Sequence, residues 1–216
     1  MVKIVGKKKS WFYYFIKRLF DIISSLLLFL IISWFFLIIL IINCFSTKGA
    51  PIYIDKRVGK NGKELNLLKF RSMYKDAQEH PEKYFSDAQM EQWKKERKVI
   101  NDPRVTKFGR FLRKTSIDEL PQLINIFVGS MSVVGPRPIV RKELDDNYTK
   151  EQIDLLLSAR PGLVSYWAIN GRNLIGYNTG ERQKLELEYF EKRSLLFELK
   201  MIFQAMFITF KKKGAQ

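Results

Sequence analysis

The longest apolar stretch of the chain runs from Ile22 to Thr47 and contains no charged residue. A membrane helix needs about 20 apolar residues, so this stretch is long enough to enter a bilayer. A helix that is apolar on every side could instead be buried in a protein core, but that requires more surrounding protein than this chain offers. No small-residue cleavage site is present, so we predict a retained membrane helix over residues 18–47.

Basic residues flank this stretch on both sides. Residues 1–17 are basic, with interleaved aromatic side chains that favour the headgroup region of a bilayer, and Lys48, Lys56 and Arg57 follow the stretch. Flanks rich in Lys and Arg stay in the cytoplasm. A helix that enters the bilayer from the cytoplasmic side and returns to it would keep both flanks there. Ser33 could bond backbone groups at a bend, but no Pro or Gly marks one, and a re-entrant and a spanning path both stay open.

The remaining pattern predicts short elements. Residues 51–71 predict a β-hairpin around a Gly/Asn turn, and residues 163–169 predict a strand. Residues 195–210 predict a mostly apolar helix that ends at a lysine cluster, as in an interfacial helix held to anionic lipid. The predicted fold is α+β and mostly helical. Its predicted parts are a basic aromatic segment at 1–17, a membrane helix at 18–47 and a cytoplasmic domain at 48–216.

Composition narrows the function classes. The net charge is +16, from 38 Lys and Arg against 22 Asp and Glu, which favours an anionic partner such as nucleic acid, anionic lipid or a phosphorylated substrate. Cys44 is the only cysteine, so an intrachain disulfide is excluded. His80 is the only histidine, which excludes a histidine-rich metal site. The sequence also lacks Walker A and GxGxxG motifs, so acid–base work is left to carboxylates or lysines.

Two adjacent carboxylates, Asp118 and Glu119, lie at a predicted helix start, with Arg113 before them and Arg137 in a later loop stiffened by Gly and Pro. Guanidiniums bind phosphate oxygens, while carboxylates can hold a hard metal ion or attack phosphorus. We expect this setting to depress the pKa of Asp118 and keep it ionised. In a structural alternative, Ser116 and Glu119 form a capping box, or Asp118 is the helix N-cap.

Five motifs follow one another along the chain, and each is weak alone but specific in this order. They are KRLFD at 17–21, KFRSM at 69–73, SIDELPQ at 116–122, MSVVGPRP at 131–138, and RPG at 160–162 with NGR at 170–172. From Lys17 to the C-terminus the chain therefore resembles the bacterial sugar transferases, the monotopic phosphoglycosyl transferases.

The resemblance implies an enzyme of the bacterial cell membrane with its catalytic domain on the cytoplasmic face. Such enzymes start glycan assembly by transferring a sugar-1-phosphate from a UDP-sugar to undecaprenyl phosphate, with Mg²⁺, and release UMP. By this resemblance Asp118 is the nucleophile that takes the phosphosugar, and Glu119 is its partner for metal and geometry. Arg113 and Arg137 correspond to phosphate-side arginines, and Arg172 to a loop near the nucleotide-sugar.

The candidate substrate-binding residues are Lys69, Arg71, Arg113, Arg137 and Arg172. The candidate membrane-interface residues are Lys17, Arg18, Ser33, Lys211 and Lys212. Family members usually carry Ser-Pro midway in the membrane helix, whereas this chain has Ser33-Trp34, so the re-entrant path follows from the flanks and the resemblance.

A function from another class is a membrane-tethered basic scaffold or a nucleic-acid-binding protein. The scattered charge and the lack of a nucleic-acid-binding motif argue against it, and we expect no nucleic-acid partner. Galactose, glucose and N-acetylated sugars all stay open as the transferred sugar.

Overall fold

The computed structural model describes residues 9–96, 99–171 and 180–210, and its architecture is α+β and mostly helical, as predicted. The α-helices are α1 Trp11–Thr47, α2 Asp87–Glu96, α3 Lys107–Thr115, α4 Gln122–Val128, α5 Arg141–Asn147, α6 Lys150–Leu157, α7 Tyr166–Asn170, α8 Glu181–Lys192 and α9 Leu195–Phe210. The strands are β1 Ile52–Val58, β2 Glu64–Phe70, β3 Ser132–Val134 and β4 Gly162–Val164, and the 3₁₀ turns are Lys60–Gly62, Pro81–Lys83 and Ile117–Glu119.

Helix α1 is 37 residues long and covers the whole apolar stretch. It begins at Trp11, before the predicted start at residue 18, because the aromatic residues of the basic segment continue the helix. Only 17% of its most hydrophobic window is buried, although a core helix would be mostly covered. By length and composition α1 can therefore cross a membrane. Its re-entrant path stays a prediction.

The predicted hairpin is confirmed, because β1 and β2 form a two-stranded sheet. Its turn is closed by the Gly59 N–H, which donates to Lys63 O at 2.8 Å. Asn61 adopts a φ of 57° and Gly62 a φ of 76°, a left-handed region that Gly and Asn tolerate best. The Gly/Asn composition of the turn thus matches the backbone it has to form.

A second sheet was not predicted. Strands β3 and β4 pair in parallel, with Ser132 opposite Gly162 and Val134 opposite Val164. The strand predicted over 163–169 is wrong in its second half, because Ser165 ends the strand and caps α7, its side chain accepting from the Ala168 N–H at 3.2 Å.

Packing divides the described residues into two compact units. The C-terminal unit comprises 9–31, 54–67, 122–171 and 180–210, and the central unit comprises 32–53, 68–96 and 99–121. The core of the C-terminal unit includes Val134, Ile139, Leu144, Leu156, Leu187, Phe190 and Met201. Buried apolar residues of the central unit include Phe36, Ile39, Phe70, Ala77, Val105 and Leu112. The predicted division into membrane and cytoplasmic parts concerns location rather than packing and stays a prediction.

Candidate functional site

The carboxylate pair lies in the 3₁₀ turn Ile117–Glu119, directly after α3. Ser116 ends α3 with a left-handed backbone (φ 58°, ψ 17°), and its N–H donates to Arg113 O at 3.2 Å. The capping-box prediction is wrong, because an N-cap needs an extended backbone and the Ser116 side chain makes no cap hydrogen bond. Asp118 is not an N-cap either, since it lies inside the turn and α4 begins only at Gln122. Helix capping therefore does not account for either carboxylate.

Asp118 is half-buried, and its environment favours the neutral carboxyl. Burial, followed by the charge of Glu119, raises the pKa of Asp118 to about 6. The charges of Lys69 and Arg113 lower the pKa of Asp118, but by less than burial and Glu119 raise it. The predicted depression of this pKa is therefore wrong, because the cost of removing the carboxylate from water exceeds the attraction of the two cations. At neutral pH Asp118 is still mostly ionised, and it is more basic than an ordinary aspartate.

Arg113 is held beside the pair by a side chain that the sequence argument did not single out. Its Nε donates to Ser72 Oγ at 2.8 Å. This hydrogen bond fixes the guanidinium in surroundings where burial lowers the pKa of Arg113, although the residue as a whole is exposed. A guanidinium fixed in this way can bind a phosphate with little further loss of side-chain entropy.

Gly109 makes this arrangement sterically feasible. A Cβ at Gly109 would lie 2.0 Å from Ser72 O, so only glycine lets α3 approach the Ser72 segment this closely. Thr106 adds two bonds at the same place: its N–H donates to Ser72 O at 3.1 Å, and its side chain accepts from the Gly109 N–H at 2.8 Å. The start of α3 is thus fixed against the strand extension that carries Ser72.

The other cations of the central unit have different surroundings. Arg71 Nε donates to Ala50 O at 2.8 Å, and its guanidinium lies 5.6 Å from the centroid of the Tyr53 ring. Lys69 is half-buried and acts on the charge of Asp118. Of the predicted site residues, the central unit therefore brings Lys69, Arg113, Asp118 and Glu119 into one electrostatic environment, while Arg71 braces the segment before β1.

Arg137 belongs to the C-terminal unit. Its main-chain N–H donates to Glu186 Oε2 at 3.0 Å, and its guanidinium lies 5.0 Å from the centroid of the Trp167 ring. Burial, followed by the charge of Arg182, lowers the pKa of Arg137, but a guanidinium remains protonated in proteins. Arg172 lies outside the described residues.

The predicted membrane-interface residues have protein contacts where they are described. Lys17 Nζ donates to Glu198 Oε2 at 2.6 Å and to Val134 O at 2.7 Å. Arg18 donates to the carbonyls of Ile126 at 2.7 Å and Phe127 at 2.6 Å, which satisfies acceptors at the end of α4. Ser33 lies within α1, whereas Lys211 and Lys212 lie outside the described residues.

The carboxylates of the central unit are the candidate ligands for Mg²⁺. Within the described parts of the chain, no group of three or more His, Cys, Asp or Glu side chains could hold a metal ion. Mg²⁺ commonly uses one or two carboxylates together with waters and substrate phosphates, so a carboxylate pair fits its needs. The repulsion by Glu119 that raises the pKa of Asp118 is also what a bound divalent cation would relieve.

The sequence is similar to a family of known proteins. A model for bacterial sugar transferases matches residues 12–212. The exopolysaccharide production protein ExoY of Rhizobium meliloti is 44% identical over 165 residues, which cover 75% of this chain and 71% of ExoY. An undecaprenyl-phosphate galactose phosphotransferase of Salmonella typhimurium is 40% identical over 169 residues. A UDP-glucose:undecaprenyl-phosphate glucose-1-phosphate transferase of Escherichia coli is 36% identical over 175 residues.

These last two alignments cover 77% and 79% of this chain but only 35% of each relative, so the chain spans about a third of their length. The family match, by contrast, extends over nearly the whole chain, including the hairpin and the carboxylate turn. The chain belongs to the bacterial sugar transferase family.

Proposed function

We propose that this protein transfers a sugar-1-phosphate from a UDP-sugar to undecaprenyl phosphate, with release of UMP, through a covalent phosphosugar on Asp118. The observation that carries the proposal is a half-buried carboxylate with a raised pKa, next to a second carboxylate and two cations. The names of the Salmonella and Escherichia relatives, which specify phosphosugar transfer to undecaprenyl phosphate, support the donor and acceptor classes.

The first step uses the basicity of Asp118. One carboxylate oxygen attacks the phosphorus that bears the sugar, a P–O bond to UMP breaks, and UMP leaves with the bonding electron pair. A pKa of about 6 leaves Asp118 mostly ionised at neutral pH and makes it a stronger nucleophile than an ordinary aspartate. Lys69 and Arg113 are the cations that offset negative charge as the phosphoryl group moves.

The second step regenerates the enzyme. A phosphate oxygen of undecaprenyl phosphate attacks the same phosphorus, and the bond to Asp118 breaks to restore the carboxylate. Asp118 and Glu119 would hold Mg²⁺ together with the substrate phosphates, and the bound ion would offset charge on the transferred group. Arg137 is proposed to bind an anionic part of the substrates, as the family resemblance implies, and Arg71 stays a candidate for the same role.

The lipid acceptor requires a site at a membrane surface. Helix α1, with most of its apolar side chains exposed, is the proposed anchor. We propose that it enters the bilayer from the cytoplasmic face, where nucleotide-sugars are found, and returns to that face, which agrees with the basic residues on both of its flanks. The start of capsule, exopolysaccharide or O-antigen type glycans is the corresponding cellular role.

The direct test is UMP release by purified full-length protein with a panel of UDP-sugars, undecaprenyl phosphate and Mg²⁺. The panel includes UDP-galactose and UDP-glucose, because the names of two relatives specify those sugars. Wild type is expected to release UMP from at least one donor, and Asp118→Asn to release none. Asp87→Asn, an exposed position on α2, is the matched control and should retain activity.

Two results would contradict the proposal. Release of UMP by Asp118→Asn at the wild-type rate would remove Asp118 from the chemistry. A wild-type protein that releases no UMP from any donor but still binds anionic vesicles would favour a membrane-tethered scaffold. Binding to nucleic acid at physiological salt, measured in the same preparation, would identify the nucleic-acid-binding alternative.

A further inference from the structure

The loop that carries Arg137 has a single main-chain donor at its centre. Pro136 and Pro138 flank Arg137, and proline has no N–H, so Arg137 provides the only main-chain N–H between Gly135 and Ile139. That N–H donates to Glu186 Oε2 at 3.0 Å. The Glu186 carboxylate therefore accepts from the one main-chain N–H that this part of the backbone has to offer.

The segments on either side of the loop are fixed independently. The Gly135 N–H donates to Val164 O at 3.1 Å, and the Gly162 N–H donates to Pro136 O at 2.8 Å. On the far side, the Val58 N–H donates to Ile139 O at 2.9 Å. The backbone on both sides of Arg137 is therefore fixed by hydrogen bonds of its own. The bond to Glu186 is then the contact that sets the main-chain position of Arg137 itself.

Glu186 lies where it can accept from the Arg137 N–H, but burying its carboxyl group is unfavourable for stability. It lies on α8 and is completely buried, four residues after the buried Arg182. Burial raises the pKa of Glu186 to about 7, even though the Arg137 N–H and the charges of Arg137 and Arg182 act to lower it. A buried carboxyl of this kind costs stability, so its presence calls for a role beyond packing.

Arg137 and Arg182 face the same Trp167 ring, but within the part of the chain that the structure describes only Arg182 forms an ion pair with a carboxylate. Arg182 pairs with Glu143 at 2.6 Å, and its guanidinium lies 4.7 Å from the centroid of the Trp167 ring that Arg137 also faces. Among residues 9–96, 99–171 and 180–210, no carboxylate forms an ion pair with the Arg137 guanidinium. Glu186 therefore binds the backbone of Arg137 and makes no ion pair with its guanidinium, although the charges of Glu143 and Glu186 act on that guanidinium.

We propose that Glu186 is the positioning residue of Arg137: its carboxylate holds the Arg137 main-chain N–H, and the Trp167 ring supports the guanidinium, so that the cation is presented in one orientation to an anionic substrate. This inference rests on the proposed function for the role of Arg137 in substrate binding. Glu186 acts through Arg137 and does not touch the reacting atoms.

The test combines a structural readout with a kinetic cycle. Hydrogen exchange of the full-length protein is followed by mass spectrometry of peptides that cover residues 134–139, with electron-transfer fragmentation to separate the Arg137 amide from those of Gly135 and Ile139. In Glu186→Ala its exchange is expected to accelerate at least tenfold, while Glu186→Gln, which keeps an acceptor and the side-chain volume, accelerates it less. Glu191→Gln, exposed on the same helix, should leave it unchanged.

The kinetic cycle separates positioning from general stability. Glu186→Ala is expected to lower kcat/KM for the UDP-sugar about tenfold in the wild-type background, Glu186→Gln is expected to lower it less, and neither should have an effect when Arg137 is already Ala. Equal losses in both backgrounds, or unchanged exchange of the Arg137 amide in Glu186→Ala, would overturn the proposal. If wild type released no UMP, the proposed function would fail, and the exchange rates would still decide whether Glu186 holds Arg137.

Discussion

Arg113 Nε donates a 2.8 Å hydrogen bond to Ser72 Oγ, and this contact fixes a cation that acts on the charge of Asp118. The two residues are far apart in sequence but are brought together by the close approach of α3, at Gly109, to the backbone of Ser72. The catalytic proposal therefore depends on a serine and a glycine that carry no charge and take no part in the chemistry.

Ser72→Ala is predicted to lower kcat/KM for UMP release about tenfold. The substitution removes the acceptor of Arg113 Nε, and a hydrogen bond to a charged group contributes about 1.5–3 kcal/mol. Steady-state kinetics with the preferred UDP-sugar measure the effect. Ser158→Ala, at an exposed hydroxyl that donates to Leu155 O, is the control. Wild-type kcat/KM in Ser72→Ala would show that Arg113 is positioned by other contacts.

Gly109→Ala is predicted to destabilise the protein by about 2–3 kcal/mol, because overpacking a tight contact forces backbone shifts. The new methyl group would otherwise lie 2.0 Å from Ser72 O. For a chain of this length, the melting temperature should fall by about 5–10 °C. Gly59→Ala is the control, since its φ of −97° suits alanine and a Cβ there would lie 3.3 Å from its nearest neighbours, Leu65 Cβ and Lys63 O. A melting temperature equal to that of wild type would contradict the packing described for α3.

The sequence was sufficient for the elements with strong local signals. The apolar stretch, the Gly/Asn turn and the mostly apolar last helix all determine their own conformation, and each was found where expected. The β3–β4 sheet was missed because three-residue strands that pair in parallel leave almost no periodic pattern. Their pairing depends on close glycine contacts, with a Cβ at Gly162 falling 2.0 Å from Gly135 N.

The candidate site was predicted in part. The charged residues could be identified because their residue types indicate phosphate chemistry. The direction of the pKa shift of Asp118 could not be predicted. That direction depends on burial, which local sequence does not report. Glu186 and Arg182 were also missed, because local sequence does not report that a charged residue on a helix is buried. The contacts of the Trp167 ring with Arg137 and Arg182 were missed because they join residues distant in sequence. Gly109, a glycine inside a helix, is the one missed residue whose type could have indicated a close contact.

The rate of transfer is predicted to depend on pH through Asp118. Only the ionised carboxylate attacks phosphorus, and its pKa is raised to about 6 by burial and by Glu119. We therefore expect kcat/KM to be constant above about pH 7 and to fall about tenfold per pH unit well below pH 6. A profile that stays flat down to pH 4.5, measured where the protein remains folded, would contradict the raised pKa.

Asp118→Asn is predicted to stabilise the protein at neutral pH. The folded-state pKa of about 6 lies above the unfolded value of about 3.9, so the folded state binds this proton more tightly. The contribution of Asp118 to stability is thus retained below about pH 4 and lost as the pH rises through 6. Asn removes this penalty, which amounts to about 2–3 kcal/mol. Melting temperatures of the two proteins should diverge between pH 4 and 7, and a constant difference would contradict the prediction.

The re-entrant path of α1 predicts that both ends of the helix stay on the cytoplasmic side. In a Cys44→Ser background, single cysteines at Ser10 and Ser158 should resist an impermeant maleimide in intact cells. Both should react after the cells are permeabilised. Labelling of the cysteine at position 10 from outside would instead show that α1 spans the bilayer.

The covalent role of Asp118 is tested by a search for the phosphosugar on Asp118 in the absence of the lipid acceptor. Full-length protein is incubated with its UDP-sugar and Mg²⁺, then digested and analysed by mass spectrometry. We predict up to one equivalent of UMP, together with a peptide containing Asp118 that has gained the mass of a sugar phosphate and is unmodified in Asp118→Asn. UMP release that requires the acceptor, with no modified peptide at any time point, would show direct transfer and contradict the covalent role of Asp118.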